Sequence, residues 1–497
     1  MRSHNMVGIA GRSKACHHCR KRRVACGLER PHCLRCQKAG VDCPGYNRRA
    51  LFVNRTVANP TTTAQEAIGT VDASADASQN VVDDYYSMLG AFTSSKYTTS
   101  DFRGTAYRIL RQLYLPRQSM TDDSIATGTS FWVAAACSCP QESSTLDHSL
   151  LALCASQLYI TQRGDMTLDQ ALEVYSSGLS KLAACLQRVD PSVLPCILAS
   201  IVALSTCELF ICPLNSGWRA HVQGIAELLR YRVGLHLPQG SSSSWTCLCA
   251  RARVVSVLTG MMTATRSEVT AAQWRAIMPD RSKDDPLDDL LDIISELPVL
   301  LAIPNASGEQ VAAMLRILIR IYDWEKSLRK RVAAAPYSFI SSQLSNPADK
   351  GHDEKLYPLV LDFPSLQIAA CFIVCWAAIL QTLAAVLRLR DEAKEPRILQ
   401  LVWVFLDQKM FRNASPKTAV IVEAKRKAGQ LCQCVEYTHR EEMGSIGPQS
   451  MIYARGLLLR FFAEHDMVRE LAWCQHIPHM TDQRAEKFAV QLLDFRI

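Results

Sequence analysis

The chain has 497 residues, 48% of them hydrophobic and 21% charged. At ~100 to 200 residues per domain it can build more than one core, which excludes wholesale disorder and a mini-protein that depends on metal staples for its size. The formal net charge of +8 is unevenly placed: residues 1–55 carry 13 Lys and Arg against 2 Asp and Glu, a surplus of +11, which leaves −3 on the other 442 residues. A cationic head on a near-neutral body implies a polyanionic partner for the head, because neutralising phosphates releases counterions.

Residues 1–15 have no apolar run of the length a signal peptide needs and are expected to be a disordered N-terminus. Of the 20 cysteines, six fall within 28 residues and the others lie mostly inside apolar runs, the usage of a reducing compartment. Those six, in residues 16–43, read Cys16-x2-Cys19-x6-Cys26-x6-Cys33-x2-Cys36-x6-Cys43, one C-x2-C-x6-C unit used twice at an offset of 17 residues. A C-x2-C pair lets two thiolates from one turn of chain meet a single cation, and tetrahedral zinc takes such sulfurs at ~2.3 Å. Two zinc ions need eight ligand places, so six thiolates close both sites only if two sulfurs bridge. The symmetric choice is the first cysteine of each repeat, Cys16 and Cys33. A receptor-type finger built on Cys16, Cys19, Cys33 and Cys36 would leave Cys26 and Cys43 unexplained, and a redox C-x2-C pair would need a βαβ context that is absent. His17, His18 and His32 are read as linkers between ligands.

These residues resemble the DNA-binding head of the fungal binuclear zinc-cluster transcription factors, which carry six cysteines in this order, a basic run after the second, and a proline where Pro31 stands. The resemblance implies one zinc on Cys16, Cys19, Cys26 and Cys33 and the other on Cys16, Cys33, Cys36 and Cys43. A closed all-sulfur shell supplies folding energy and has no place for a reactive water. The first half holds Arg20, Lys21, Arg22 and Arg23 between its cysteines, whereas Cys36 to Cys43 encloses only Lys38, opposed by Asp42; the first half should face double-stranded DNA. By resemblance Arg22 and Arg23 read CGG-type triplets, a guanidinium spanning guanine O6 and N7, while Arg20 and Lys21 lie among the phosphate contacts. The sequence departs from the family at Arg23, where lysine is commoner, and at Ala25, where a further basic residue is usual, which leaves the preferred triplet open.

Residues 44–55 form a basic arm, with Arg48, Arg49 and Arg55 able to track phosphates and to serve nuclear import. Residues 56–83 read as a flexible linker: Thr56 to Ser95 has no Lys or Arg and is dominated by Thr, Ala, Ser, Asn and Asp. It lacks the a/d periodicity of a coiled coil, so a homodimer would have to form through the C-terminal body. The acid and aromatic alternation at Asp83-Asp84-Tyr85-Tyr86 has the look of an activation segment, but its simpler reading is the first docked residues of the next domain.

Residues 84–497 show apolar spacing near 3.6 punctuated by Pro and Gly, so the fold class is all-α: a small zinc-cluster head, a linker and a large helical regulatory body. One helix is well delimited, capped by Asn215 or Ser216, with Trp218, Val222, Ile225 and Leu229 as its buried stripe and Gly234 at its end. Ser307 with Gln310 offers a capping box for another. The stretches Trp218 to Gly224 and Leu290 to Pro298 resemble the second type of fungal-specific transcription factor domain. Phe363 to Leu387 is 25 residues without a charge, long enough to span a bilayer, but its Ala-rich composition and internal Gln367, Gln381 and Thr382 fit a central core helix, and no membrane partner is expected. The body's cysteines are read as small buried hydrophobes, with Cys432 and Cys434 the best candidates for a sensor, and His221 as a satisfied, partly buried histidine.

There is no phosphate-cradling glycine loop, no G-x-S-x-G elbow and no H-E-x-x-H, so an enzyme is not expected. The reading is a nuclear, sequence-specific regulator of RNA polymerase II transcription with two zinc ions, partnered by DNA and by the transcription machinery or co-regulators. Control of a metabolic or secondary-metabolite gene cluster is the pathway the resemblance suggests. The alternative is a zinc-stabilised protein- or RNA-binding adaptor without DNA sequence preference, for which no aromatic stacking platform lies near the cluster.

Overall fold

The computed structural model describes residues 19, 22, 24, 26, 33–41, 43, 73–94, 96–117, 131–212, 217–234, 243–266, 268–278, 285–303, 307–332, 335–388, 400–406 and 414–479. The chain divides into two compact units, residues 1–70 and 71–497. In the first, helix α1 (Leu34–Lys38) is the element the cysteine repeat builds.

The second unit is helical almost throughout. Helix α2 (Ala73–Thr93) begins ten residues before the expected end of the linker. Its buried residues Val81, Tyr85 and Met88 follow i, i+4, i+7 spacing. The turns before Val81 lack an apolar stripe, which is why they read as linker. Tyr85 is buried and Phe92 packs on the core, so the acid and aromatic segment is docked. Helix α3 (Thr99–Leu113) starts at an N-cap, Thr98, whose hydroxyl accepts the Asp101 N–H at 3.2 Å.

Helices α4 (Ser144–Ile160), α5 (Leu168–Leu186) and α6 (Leu194–Ile211) pack on one another. A capping box between Thr167 and Gln170 fixes the start of α5. Helix α7 (Gly217–Gly234) buries Trp218, Val222, Ile225 and Leu229 and exposes Arg219, Gln223, Glu227 and Arg230, the two faces expected from its spacing. Its expected caps, Asn215 and Ser216, lie outside the described residues. Helix α8 (Ser243–Thr263) carries Arg253, fully buried, whose guanidinium bonds Asp288 at 2.6 Å and also Asp292 on the short helix Pro286–Ile294. Losing both carboxylates would leave the buried Arg253 charge uncompensated.

The Ser307 and Gln310 capping box forms as expected and opens helix α9 (Gly308–Arg331), the Ser307 N–H donating to Gln310 Oε1 at 2.7 Å. Beyond it, strands β1 (Ser338–Ser341) and β2 (Leu359–Asp362) make one antiparallel pair in register Ser338 with Asp362 and Ser341 with Leu359. Helix α10 (Leu366–Arg388) covers most of the uncharged stretch Phe363–Leu387, read as a core helix, and nearly every residue from Leu366 to Val386 is buried by neighbouring helices. Its polar groups are matched inside the body: Gln381 Nε2 donates to the Met261 carbonyl at 2.8 Å and Gln381 Oε1 accepts from the Tyr453 hydroxyl at 2.5 Å. Such pairing is what a core helix needs to bury an amide without loss. The segment Pro191–Ile211, which includes α6, is nearly as long and apolar and equally buried. Helices α11 (Pro416–Gln433) and α12 (Ile452–Glu464) pack against α10 and complete the main core.

Candidate metal centre and nucleic-acid interface

Cys33 is the N-cap of α1, and Cys36 is the third residue of that helix. The Cys33 Sγ accepts the Cys36 N–H at 3.4 Å, so C-x2-C is here also the spacing of an N-cap to N3 bond, with a thiol where serine or threonine usually stands. The helix stops at Ala39, and Gly40 takes φ +66, the left-handed conformation that a glycine adopts without a Cβ penalty. That reversal brings Cys43 back until its Sγ accepts the Cys33 N–H at 3.4 Å.

The described thiols form two groups, Cys19 with Cys26 and Cys33, and Cys33 with Cys36 and Cys43, each with its sulfurs within 4.8 Å of one another. Cys33 belongs to both. Cys19 Sγ stands 3.8 Å from Cys33 Sγ, and two sulfurs bound at ~2.3 Å to one tetrahedral ion lie ~3.8 Å apart. Cys19, Cys33, Cys36 and Cys43 are buried and Cys26 is half-buried, with Val24 packed against them. An all-sulfur, mostly buried donor set at this spacing fits zinc and excludes hard cations, which take oxygen ligands. Among the described residues the arrangement suits a structural metal that folds the segment.

Of the expected DNA contacts, Arg22 lies in the turn after Cys19 and is exposed. Arg35 and Lys38 are exposed on α1; Arg35 escaped the sequence reading because it sits inside a C-x2-C pair and not in the longer cysteine interval. Cys16, Arg20, Lys21, Arg23, Arg48 and Arg49 lie outside the described residues.

In the body, Cys432 and Cys434 are fully buried, as read for the body's cysteines, and burial pushes the Cys434 thiol well above the ordinary range, which removes the pair as sensor candidates. Cys432 Sγ lies 3.8 Å from Cys474 Sγ, inside the main core. His221 is buried as expected. Burial lowers its pKa to about 4, and its Nε2 lies 3.3 Å from the Tyr175 hydroxyl, which donates to Glu208.

Residues 14–51 match the fungal Zn(2)-Cys(6) binuclear cluster domain, and residues 110–334 match the fungal specific transcription factor domain. Over 39 residues the chain is 56% identical to the aspercryptin biosynthesis cluster-specific transcription regulator atnN of Emericella nidulans, a stretch that covers 8% of this chain and 6% of that protein. No solved structure matches the chain.

Proposed function

The chain belongs to the fungal Zn(2)-Cys(6) binuclear-cluster transcription factors, whose cluster domain binds two zinc ions, and on that premise we propose that it is a nuclear, sequence-specific regulator of RNA polymerase II transcription. The families point to a transcription factor and away from an enzyme. The observation that carries the reading is the double membership of Cys33: one sulfur within reach of two thiol groups is one of the two bridges that six cysteines need to close two four-coordinate sites.

One zinc is held by Cys16, Cys19, Cys26 and Cys33 and the other by Cys16, Cys33, Cys36 and Cys43. The metal supplies folding energy to a segment with too few apolar residues to fold alone. Around it, Arg22 and Arg23 read guanines of a CGG-type triplet from the major groove, and Arg20, Lys21, Arg48 and Arg49 neutralise phosphates. The arm at residues 44–55 and the segment up to α2 tether this head to the helical body, which meets co-regulators and carries any two-fold contact between copies. The relative's printed role in a biosynthesis cluster supports a metabolic gene cluster as the target.

Binding-site selection from random duplexes with the full-length protein, alongside zinc content per chain, tests the reading. Enrichment of CGG-type triplets by a protein with two zinc ions is expected, and a single triplet against a spaced pair separates monomer from body-driven dimer. A protein that enriches no duplex but binds single-stranded RNA would replace the reading with a zinc-stabilised adaptor.

A further inference from the structure

Helix α8 buries two arginines two residues apart, and the fold treats them differently. Arg253 is paired with Asp288 and Asp292. Arg251 is 7% exposed, its Nε has no hydrogen-bond partner, and among the described residues no carboxylate pairs with it. An uncompensated buried cation costs several kcal/mol in general, so a site that keeps one implies an anion to meet it.

Arg251 lines a cavity of about 130 Å³ between α8, α10 and the segment Ile446–Tyr453. It is the one charged residue among those lining the cavity, whose walls are otherwise mainly aliphatic and aromatic, including Trp218, Val254, Leu258 and Val374. A second buried donor lines the same space: Gln449 is 9% exposed, its Oε1 accepts the Tyr114 hydroxyl at 2.7 Å, and its Nε2 has no partner. One guanidinium and one side-chain amide among otherwise mainly apolar lining residues form a small polar anchor inside a hydrophobic pocket, the usual composition of a small-molecule site. Met262, Gln367 and Ala370 on its rim are half-buried, so the cavity has a route to solvent.

We infer that this cavity binds a small monocarboxylic acid with a compact apolar body, its carboxylate accepting from Arg251 and Gln449 and its apolar part lying against Trp218 and Val374. A cavity of this size accepts an apolar group on the scale of a benzene ring. A single guanidinium and one amide satisfy a carboxylate, whereas a phosphate dianion would leave charge unmatched in an apolar wall. The site lies in the body and not in the zinc head, so it goes beyond DNA recognition and can be tested apart from it.

Isothermal titration of the full-length protein with phenylacetate and 3-phenylpropionate, each beside its primary amide, is the test. Saturable one-site binding of at least one acid is expected, at least ~10-fold weaker for its amide and for Arg251→Met, as befits loss of a charge-assisted hydrogen bond. Met keeps an unbranched apolar stem and removes the charge, and far-UV circular dichroism checks that the variant folds. Ala370→Leu fills the cavity without touching the anchor and should abolish binding by itself. No saturable binding of either acid, as expected if Arg251 holds only water, would overturn the assignment. So would equal affinity for acid and amide, or undiminished binding to Arg251→Met. Zinc content and duplex binding should be unchanged in both variants.

Discussion

Cys33 Sγ lies 3.8 Å from Cys19 Sγ, a residue of the other cysteine repeat, and at the same time groups with Cys36 and Cys43 of its own. Cys26 belongs to one group alone. Substituting a shared sulfur opens two metal shells, and substituting an unshared one opens one. Cys33→Ser should therefore lose both zinc ions, whereas Cys26→Ser should retain about one per chain. Metal content by mass spectrometry of the purified proteins decides it; equal loss in the two variants would contradict the shared position of Cys33.

The basic residues separate by the part of the duplex each is assigned. Arg23→Ala should cost ~1 to 3 kcal/mol on the preferred site and relax selection at one base, because a guanidinium on guanine O6 and N7 discriminates between bases. Arg48→Ala should weaken all duplexes alike and reduce the salt slope by about 1, as follows when one fewer phosphate is neutralised. Binding isotherms on cognate and scrambled duplexes over a range of salt distinguish the two, and uniform weakening by both variants would remove the base-reading role from Arg23.

What the sequence made legible was whatever is written in local spacing. The grouping of the described cysteines from Cys19 to Cys43, the stripe of Trp218, Val222, Ile225 and Leu229, and the Ser307 and Gln310 capping box are all present in the structure because each is set by local spacing of chain. Burial of α10 was legible too, since Gln381 and Thr382 within an apolar run call for protein partners. The strand pair β1 and β2 was not, because four-residue strands with exposed Phe339 and Leu359 lack clean alternation of apolar and polar positions. Nor could spacing tell Arg253 from Arg251: both stand on one helix, and only the fold brings Asp288 to the first and an apolar cavity to the second.

The early start of α2 makes Tyr85 part of the body. Its ring is 1% exposed, inside the main core with Val81 and Met88. Tyr85→Ala should lower the stability of the body by ~3 to 5 kcal/mol, the range for deleting a buried aromatic ring. Exposed Tyr86 on the next position is the internal control, and Tyr86→Ala should fall within ~0.5 kcal/mol of the parent. Urea unfolding followed by tryptophan fluorescence measures both. Equal, small effects would return this segment to the linker and reopen an activation role for it.

Glu325 ties three helices together and makes the body acid-sensitive in a defined window. Its carboxylate accepts from Trp376 Nε1 at 3.0 Å on α10, from Lys427 Nζ at 3.0 Å on α11, and from Arg329 at 2.8 Å on its own helix. Burial pushes its pKa up, but the Lys427 charge, the Trp376 N–H and Arg329 outweigh burial and bring it from 4.5 down to about 2. The unfolded chain then binds this proton more readily than the folded one. The stabilisation is fully present above about pH 4.5 and is lost as the pH falls through about 2. The gap corresponds to roughly 3 kcal/mol at 1.36 kcal/mol per pKa unit. Glu325→Gln should remove that part of the acid dependence and lower stability at neutral pH by ~3 to 5 kcal/mol, because Lys427 is left buried without its counter-charge. Urea midpoints of the parent and the variant between pH 7 and the acid limit of folding, read by helix content so that zinc release from the head does not contribute, should converge as the pH falls. Parallel curves would show that the Glu325 and Lys427 pair does not govern the acid limb.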